Sequence, residues 1–184
     1  MQPLAVCDYN LIVERLGELN AYADGETVFV SQRMMEFSRS DNELAVVVGH
    51  EFAHNALGHV DSQQDNRRAG AIVGLILDMA AIAAGASTGG EFAKLGGDIG
   101  SDVFSQEFEA EADYVGLYAT ARAGYDIDVG ADFWRRMAAE NPDAITYASS
   151  HPTTIYRAAA LDQVVMEISD KKRVGLPMEP EFLP

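Results

Sequence analysis

The chain has 184 residues, 48% of them hydrophobic, which is enough for one packed domain spanning 1–184. Thirteen Lys and Arg stand against 29 Asp and Glu, and the formal charge of −16 sets nucleic acid aside and repels anionic lipid headgroups at long range. The single cysteine, Cys7, excludes an internal disulfide and a cysteine-rich zinc site, so any zinc must use His and carboxylate ligands.

No basic and apolar leader precedes a cleavage site, so the chain as written carries no secretory signal, and residues 4–7 fit a lipoprotein signal poorly. Residues 3–30 hold short β-rich pieces at 3–7, 10–14, 19–22 and 27–30, with Asp24-Gly25 as a hairpin turn signal. They predict a small antiparallel sheet. Ser31 is placed to cap a short helix through Phe37. Ser40 and Glu43 have capping-box spacing ahead of the apolar run 44–48, so a second helix is predicted from there to Gly58, although three consecutive valines also suit a strand. The sheet is expected to pack beside it.

This second helix carries His50-Glu51-x-x-His54. One turn advances about 3.6 residues, so His50 and His54 lie about 40° apart on one face and can share a metal. Glu51 lies about 60° round from His54, placed to reach a water on that metal as a general base.

Beyond it, Asp61 is placed to cap the next segment, whose polar residues give way at 69–86 to a stretch rich in alanine and glycine with Asp78 as its only charge. Too dilute for a membrane span, the stretch reads as a buried helix; the alternative is an exposed helix that covers a groove or touches a membrane surface or partner. Residues 87–90 form a break, and Gly96, Gly97 and Gly100 imply backbone that is mobile or closely packed. A helix from about 102 to 123 places Tyr114, Leu117, Tyr118 and Ala121 on its core face and ends at Gly124. Asp126 or Asp128 starts another, through about Glu140, which Asn141-Pro142 breaks. A last helix follows His151-Pro152 to about Ser169, with Ile155, Ala159, Val164 and Ile168 as its apolar set, and three prolines predict an extended tail over 175–184. The fold class is therefore α+β, with a β-rich start over 3–30 and a mainly helical part over 31–170.

A catalytic zinc takes three protein ligands and keeps a position for water. His59 would lie about 140° round from His54 on a continuous helix, and it reads as a helix-end residue whose charge suits the dipole. In the acidic run 107–113, Glu109 and Asp113 share one face while Glu107 and Glu111 share the opposite one. Ala110 and Ala112 permit a close helix approach. Spacing alone leaves open which pair faces inward, or whether all four acids form a solvated face.

Gly49-His50-Glu51-Phe52-Ala53-His54, then Glu109-Ala110-Glu111-Ala112-Asp113, then His151-Pro152 with Arg157 five residues past the proline, resembles the zinc metallopeptidase family of the CAAX prenyl protease, HtpX and Oma-type enzymes. Its motifs run in the same order, as H-E-x-x-H, E-x-x-A-D and H-P followed by Arg, and residues 20–23 and 28–30 look like its N-terminal strands. The resemblance implies a gluzincin domain with one zinc on His50, His54 and Glu109, Glu51 as general base and Asp113 supporting a ligand from behind. It implies that His151 lies close to the metal, helping the oxyanion or closing the site as a fourth ligand. Arg157 is then a partner of a site carboxylate or a plain surface residue.

The implied activity is hydrolysis of peptide bonds in unfolded or extended polypeptides, in protein quality control, with the substrate pairing at the sheet edge near 27–30. The rival is a zinc-binding chaperone or assembly factor whose peptidase activity is latent, blocked by His151 or by 69–86. Many members cross the membrane, whereas this chain shows no clear span and looks more like a soluble, periplasmic or lipoprotein-type branch. The full-length form is accordingly expected in the bacterial periplasm or at the membrane-associated cell envelope.

Overall fold

The computed structural model describes residues 9–102, 105–139, 151 and 155–182. Expectations at residues 3–7, at Asn141-Pro142 and at Pro152 lie outside them. Three strands, β1 (Asn10–Glu14), β2 (Ala21–Ala23) and β3 (Thr27–Ser31), precede the helices α1 (Gln32–Phe37), α2 (Asp41–Ala56), α3 (His59–Ala83) and α4 (Glu91–Asp102). Helices α5 (Ser105–Arg122), α6 (Gly130–Ala139) and α7 (Ile155–Val174) follow. The α+β class, mainly helical with a small sheet near the start, is as the sequence predicts.

The sheet differs in one respect. Strands β2 and β3 form the expected antiparallel hairpin, turning where Asp24 Oδ1 accepts from the amides of Glu26 and Thr27 and where Gly25 takes φ of 103°. Strand β1, however, pairs with β3 in parallel, so the sheet is mixed, in the order β1-β3-β2. Strand β3 is therefore central and buried, and the free edges belong to β1 and β2 rather than to residues 27–30.

Helix α1 begins as predicted, with the Ser31 hydroxyl accepting from the Met34 amide. Ser40 likewise accepts from the Glu43 amide at the start of α2. The Glu43 carboxylate reaches back one residue further than a capping box requires, to the Arg39 amide at 2.7 Å, and holds Arg136 of α6 at 2.6 and 2.9 Å. This local cap thus also fastens α6 to α2.

Helix α2 ends at a sharp turn in which Gly58 takes a left-handed conformation (φ 69°), and α3 restarts at His59. Asp61 consequently sits inside the first turn of α3 rather than capping it. Asn55 joins this end of α2 to the hairpin: its Oδ1 accepts from Gly25 N at 2.7 Å and its Nδ2 donates to Thr27 O at 3.2 Å.

Residues 69–86 are not a buried helix. Residues 69–83 form the outer part of α3, which packs against α4 while Ile72, Val73, Ile76, Met79 and Ile82 stay close to 60% exposed. The lone charge, Asp78, is buried and caps α4, accepting from the amides of Phe92 and Ala93. The glycines here are closely packed: a Cβ on Gly74 would lie 1.9 Å from Phe92 O, and one on Gly96 would lie 2.2 Å from Gly70 O.

The core gathers Val46 and Val47 of α2, Leu117 and Tyr118 of α5, Phe133, Trp134 and Met137 of α6, and Leu161 and Ile168 of α7. Helix α7 runs five residues past Ser169, with Leu161 and Ile168 buried and Ala159 exposed. Beyond it, Lys171 Nζ donates to Glu179 O and the Tyr114 hydroxyl accepts from Glu181 N, which ties the irregular tail down.

Helices α2 and α5 touch backbone to backbone. A Cβ on Gly116 would stand 2.8 Å from Gly49 O and 2.9 Å from His50 N, and one on Gly49 would stand 2.2 Å from Thr120 Oγ1. Gly116→Ala must push the helices apart, costing about 1–3 kcal/mol as overpacking does and lowering the melting temperature by several degrees. Gly17→Ala, with nothing within 4 Å of the new methyl group, should leave melting nearly unchanged in the same calorimetric comparison.

Candidate metal centre

One turn of α2 separates His50 from His54, and their Nε2 atoms stand 3.1 Å apart. Helix α5 presents Glu109 and Asp113 to the same place, also one turn apart. Glu109 Oε2 lies 3.3 Å from His50 Nε2, and Oε1 lies 3.3 Å from His54 Nε2. His151 completes the group, its Nδ1 2.8 Å from Glu109 Oε1 and 3.3 Å from His50 Nε2. One ligand atom from each of these four buried residues falls within a 4.8 Å cluster.

Two atoms each about 2.0–2.1 Å from a tetrahedral zinc stand roughly 3.3–3.4 Å apart. The 3.1–3.3 Å spacings among His50, His54 and Glu109 suit that arrangement. Glu51 adds a second indication. It is fully buried, and among the described residues neither carboxylate oxygen has a hydrogen-bond donor; His151 Nε2 stands 3.5 Å from Oε1. A buried carboxylate without a donor is costly, so the donor set fits a metal with a water beside Glu51.

Behind the cluster, Asp113 Oδ1 lies 3.0 Å from His50 Nδ1. Arg157 grips the same carboxylate at two points, Nε to Oδ2 at 2.8 Å and Nη2 to Oδ1 at 3.0 Å, and sends Nη1 to Glu109 Oε2 at 2.8 Å. Its guanidinium lies 5.4 Å from the Trp134 ring, which also meets His50 edge-on at 5.5 Å. Arg157 is thus a buried partner of two site carboxylates and not a surface residue.

The charges follow from these contacts. Burial alone would lower the His50 pKa, yet hydrogen bonds to Asp113 and Glu109 raise it to about 10. His54 moves the other way, to about 4, driven down by burial and by the neighbouring His50 charge. Burial would raise Glu109, but the three histidines around it hold its carboxyl far below the usual range. Asp113 is likewise held low against burial, by His50 and Arg157.

The other acids of the run separate by face, with Glu107 exposed and Glu111 half-exposed. His59 departs from expectation. It lies at the N-terminal end of α3, where the dipole disfavours a positive charge, and burial lowers its pKa. Its Nδ1 faces His54 Nδ1 at 3.1 Å, its Nε2 faces Glu111 Oε2 at 3.1 Å, and its ring stacks on Phe108. The 140° offset assumed a continuous helix, and the reversal at Gly58 removes that premise.

The close approach attributed to Ala110 and Ala112 is made mainly at Gly49 and Gly116; Ala112 is buried and Ala110 exposed. Asn55 and Trp134 also shape the site without having been singled out in the sequence. Asn55 follows His54 directly, but nothing local marks its partner as a turn 30 residues earlier. A cleft opens on the cluster, lined by Glu51, His54, Glu109 and His151, by Tyr22 and Ala23 of β2, and by His59, Val60 and Gln63 of α3.

Comparison with known proteins agrees with this geometry. The model of peptidase family M48 matches residues 6–165, and the chain belongs to that family. It is 30% identical over 155 residues to the mitochondrial metalloendopeptidase OMA1 of Schizosaccharomyces pombe, covering 82% of this chain and 44% of that protein. Its identity to the protein of the same name in Arabidopsis thaliana is 32% over 143 residues, covering 76% of this chain and 28% of that one. To the beta-barrel assembly-enhancing protease of Escherichia coli it is 30% identical over 144 residues, covering 73% and 28%. The chain therefore spans less than half the length of these relatives.

Removing Arg157 would take away a permanent cation that two buried carboxylates share with His50. Arg157→Met is expected to destabilise the metal-free protein by about 3–5 kcal/mol at neutral pH, as loss of one partner from a buried ion pair does. Asp113 and Glu109 are held below their ordinary values of 3.8 and 4.5, so their contribution is present above those values and is lost as pH falls through the lower folded ones. The deficit of Arg157→Met in denaturant titrations should accordingly persist from pH 7 down to about pH 4.5 and shrink only as pH falls below about 3.8.

Proposed function

We propose that this chain is the catalytic domain of a zinc-dependent endopeptidase, with one zinc on His50, His54 and Glu109 and with Glu51 as general base. The observation that carries the reading is the buried Glu51 carboxylate, without a donor among the described residues, beside a two-histidine, one-glutamate cluster of ligand spacing. When bound, zinc acts as a Lewis acid that acidifies a water and polarises the scissile carbonyl.

The chain's own residues supply the rest. Glu51 takes the proton of the attacking water and passes it to the departing amine. Asp113 Oδ1 faces His50 Nδ1 at 3.0 Å, which favours the proton on that side and leaves the Nε2 lone pair for the metal, while Arg157 holds both acids in place. His151 Nε2, on the Glu51 side of its ring, is placed to donate to the developing oxyanion. Strand β2 is a sheet edge that lines the cleft, so it offers backbone groups to an extended polypeptide. Membership of peptidase family M48 and likeness to proteins named as metalloendopeptidases and as an assembly-enhancing protease support a role in protein quality control.

A second reading rests on His151. Its Nδ1 stands among the ligand atoms, where it would serve as a fourth ligand and hold the peptidase latent, as suits a chaperone or assembly factor.

The exposed apolar side chains of α3 and α4 support one more element, contact with a membrane surface or partner at the cell envelope. Among the described residues, no helix is long and apolar enough to cross a membrane.

Metal analysis should find about one zinc per chain in wild type and in Glu51→Gln, and much less in His50→Ala and Glu109→Ala. Wild type should cleave unfolded casein and Glu51→Gln should not. Faster cleavage by His151→Ala marks the latent state, slower cleavage marks oxyanion support, and silence from both wild type and His151→Ala refutes the peptidase reading. In liposome flotation, wild type should rise with the vesicles, whereas a variant with Ile72, Ile76 and Met79 all changed to Ser should stay below.

A further inference from the structure

Every histidine that binds a metal through one ring nitrogen must present a lone pair there, so its proton must sit on the other nitrogen. His50 meets this condition directly, because Asp113 faces its Nδ1 at 3.0 Å. Among the described residues, His54 has no carboxylate behind it. Its Nε2 faces His50 and Glu109, and its Nδ1 faces another imidazole, His59 Nδ1, at 3.1 Å. Two neutral imidazoles meeting through like nitrogens are ambiguous on their own: either ring can be the donor, and only one choice leaves His54 Nε2 free.

Glu111 weighs against Glu109, whose Oε1 lies 3.3 Å from His54 Nε2 and would draw the proton to that side. Glu111 Oε2 lies 3.1 Å from His59 Nε2, and a carboxylate only accepts. His59 must then carry its proton on Nε2, its Nδ1 is left as an acceptor, and His54 must donate from Nδ1. The remaining lone pair of His54 is on Nε2, toward the cluster. From these contacts we propose that His59 and Glu111 are positioning residues that fix the tautomer and ring orientation of His54 for metal binding, a part that Asp113 plays alone for His50.

The fold supports this. The left-handed Gly58 folds α3 back so that residue 59 lies beside residue 54, and the His59 ring is held by stacking on Phe108 at 4.2 Å, nearly parallel. His59 is 2% exposed, so water is a poor substitute acceptor at that spot. Glu111 lies on the face of α5 opposite Glu109. Two faces of one helix thus serve the same ligand, one from the front and one from behind.

The proposal rests on the reading of His54 as a ligand, and the test separates the two. Zinc affinity is measured by competition with a chromophoric chelator. Ring-nitrogen NMR of the metal-free protein, which has only four histidines, assigns the protonated nitrogen of His54. Wild type should show His54 protonated on Nδ1. His59→Leu should bind zinc about 10–100-fold more weakly and lose that signature. His59→Asn, whose Oδ1 can accept in place of Nδ1, should recover most of both, which a merely structural role would not allow.

Glu111→Ala changes a half-exposed residue and so stays informative if His59→Leu does not fold. It should weaken zinc about threefold or more and blur the His54 tautomer. A wild-type His54 protonated on Nε2, or His59→Leu and Glu111→Ala both binding zinc like wild type, would overturn the proposal. If His54→Ala also binds zinc like wild type, it is the ligand assignment that has failed.

Discussion

The contact of α2 with α5 at Gly49 and Gly116 governs the geometry of everything chemical in this molecule. His50 is the next residue after Gly49, and Asp113 and Glu109 lie one and two turns back from Gly116. A side chain at either glycine would meet backbone or the buried Thr120. With both absent, the helices come close enough for one carboxylate to reach two imidazoles from the neighbouring helix at 3.3 Å each. The crossing also places Asp113 behind His50, so one backbone contact sets both the spacing of the clustered side chains and the carboxylate behind one of them.

Such a site concentrates charge in the interior, where isolated ions are costly. Here the ions are shared. Arg157 touches both acids, His50 touches both acids, and the Trp134 ring covers Arg157 and His50 from one side. Glu51 stands outside this exchange, one residue from His50 yet without a donor among the described residues. The contrast between a fully engaged carboxylate pair and a disengaged third carboxylate is what sets Glu51 apart in this site.

Much of this was legible in the sequence, for identifiable reasons. Helical periodicity put His50 and His54 on one face and split the acidic run correctly into 109/113 and 107/111, because both are local geometry on a single helix. Ser31, Ser40 and Gly124 marked real helix ends by local capping and turn chemistry. What periodicity did not carry was contact between segments far apart in sequence: the Gly49–Gly116 crossing, the Asn55 link to the hairpin and the parallel pairing of β1. His59 illustrates the boundary between the two. A left-handed glycine in front of it reset the helical phase, and a residue that would have faced away faces His54 instead. Residues 69–86 erred differently, since apolar composition suits an interior but does not specify one.

The α3–α4 hairpin is held by its own glycines, which bring the two backbones together at Gly74 and Phe92 and again at Gly70 and Gly96, while Asp78 stitches one helix to the start of the other. None of that cohesion draws on the outward side chains at 72, 73, 76, 79 and 82. The surface there is consequently free to be rewritten without disturbing the chemistry beneath it. In evolutionary terms, the scaffold separates an outward apolar surface from the buried cluster, so that a handful of exposed residues can change while the cluster stays as it is.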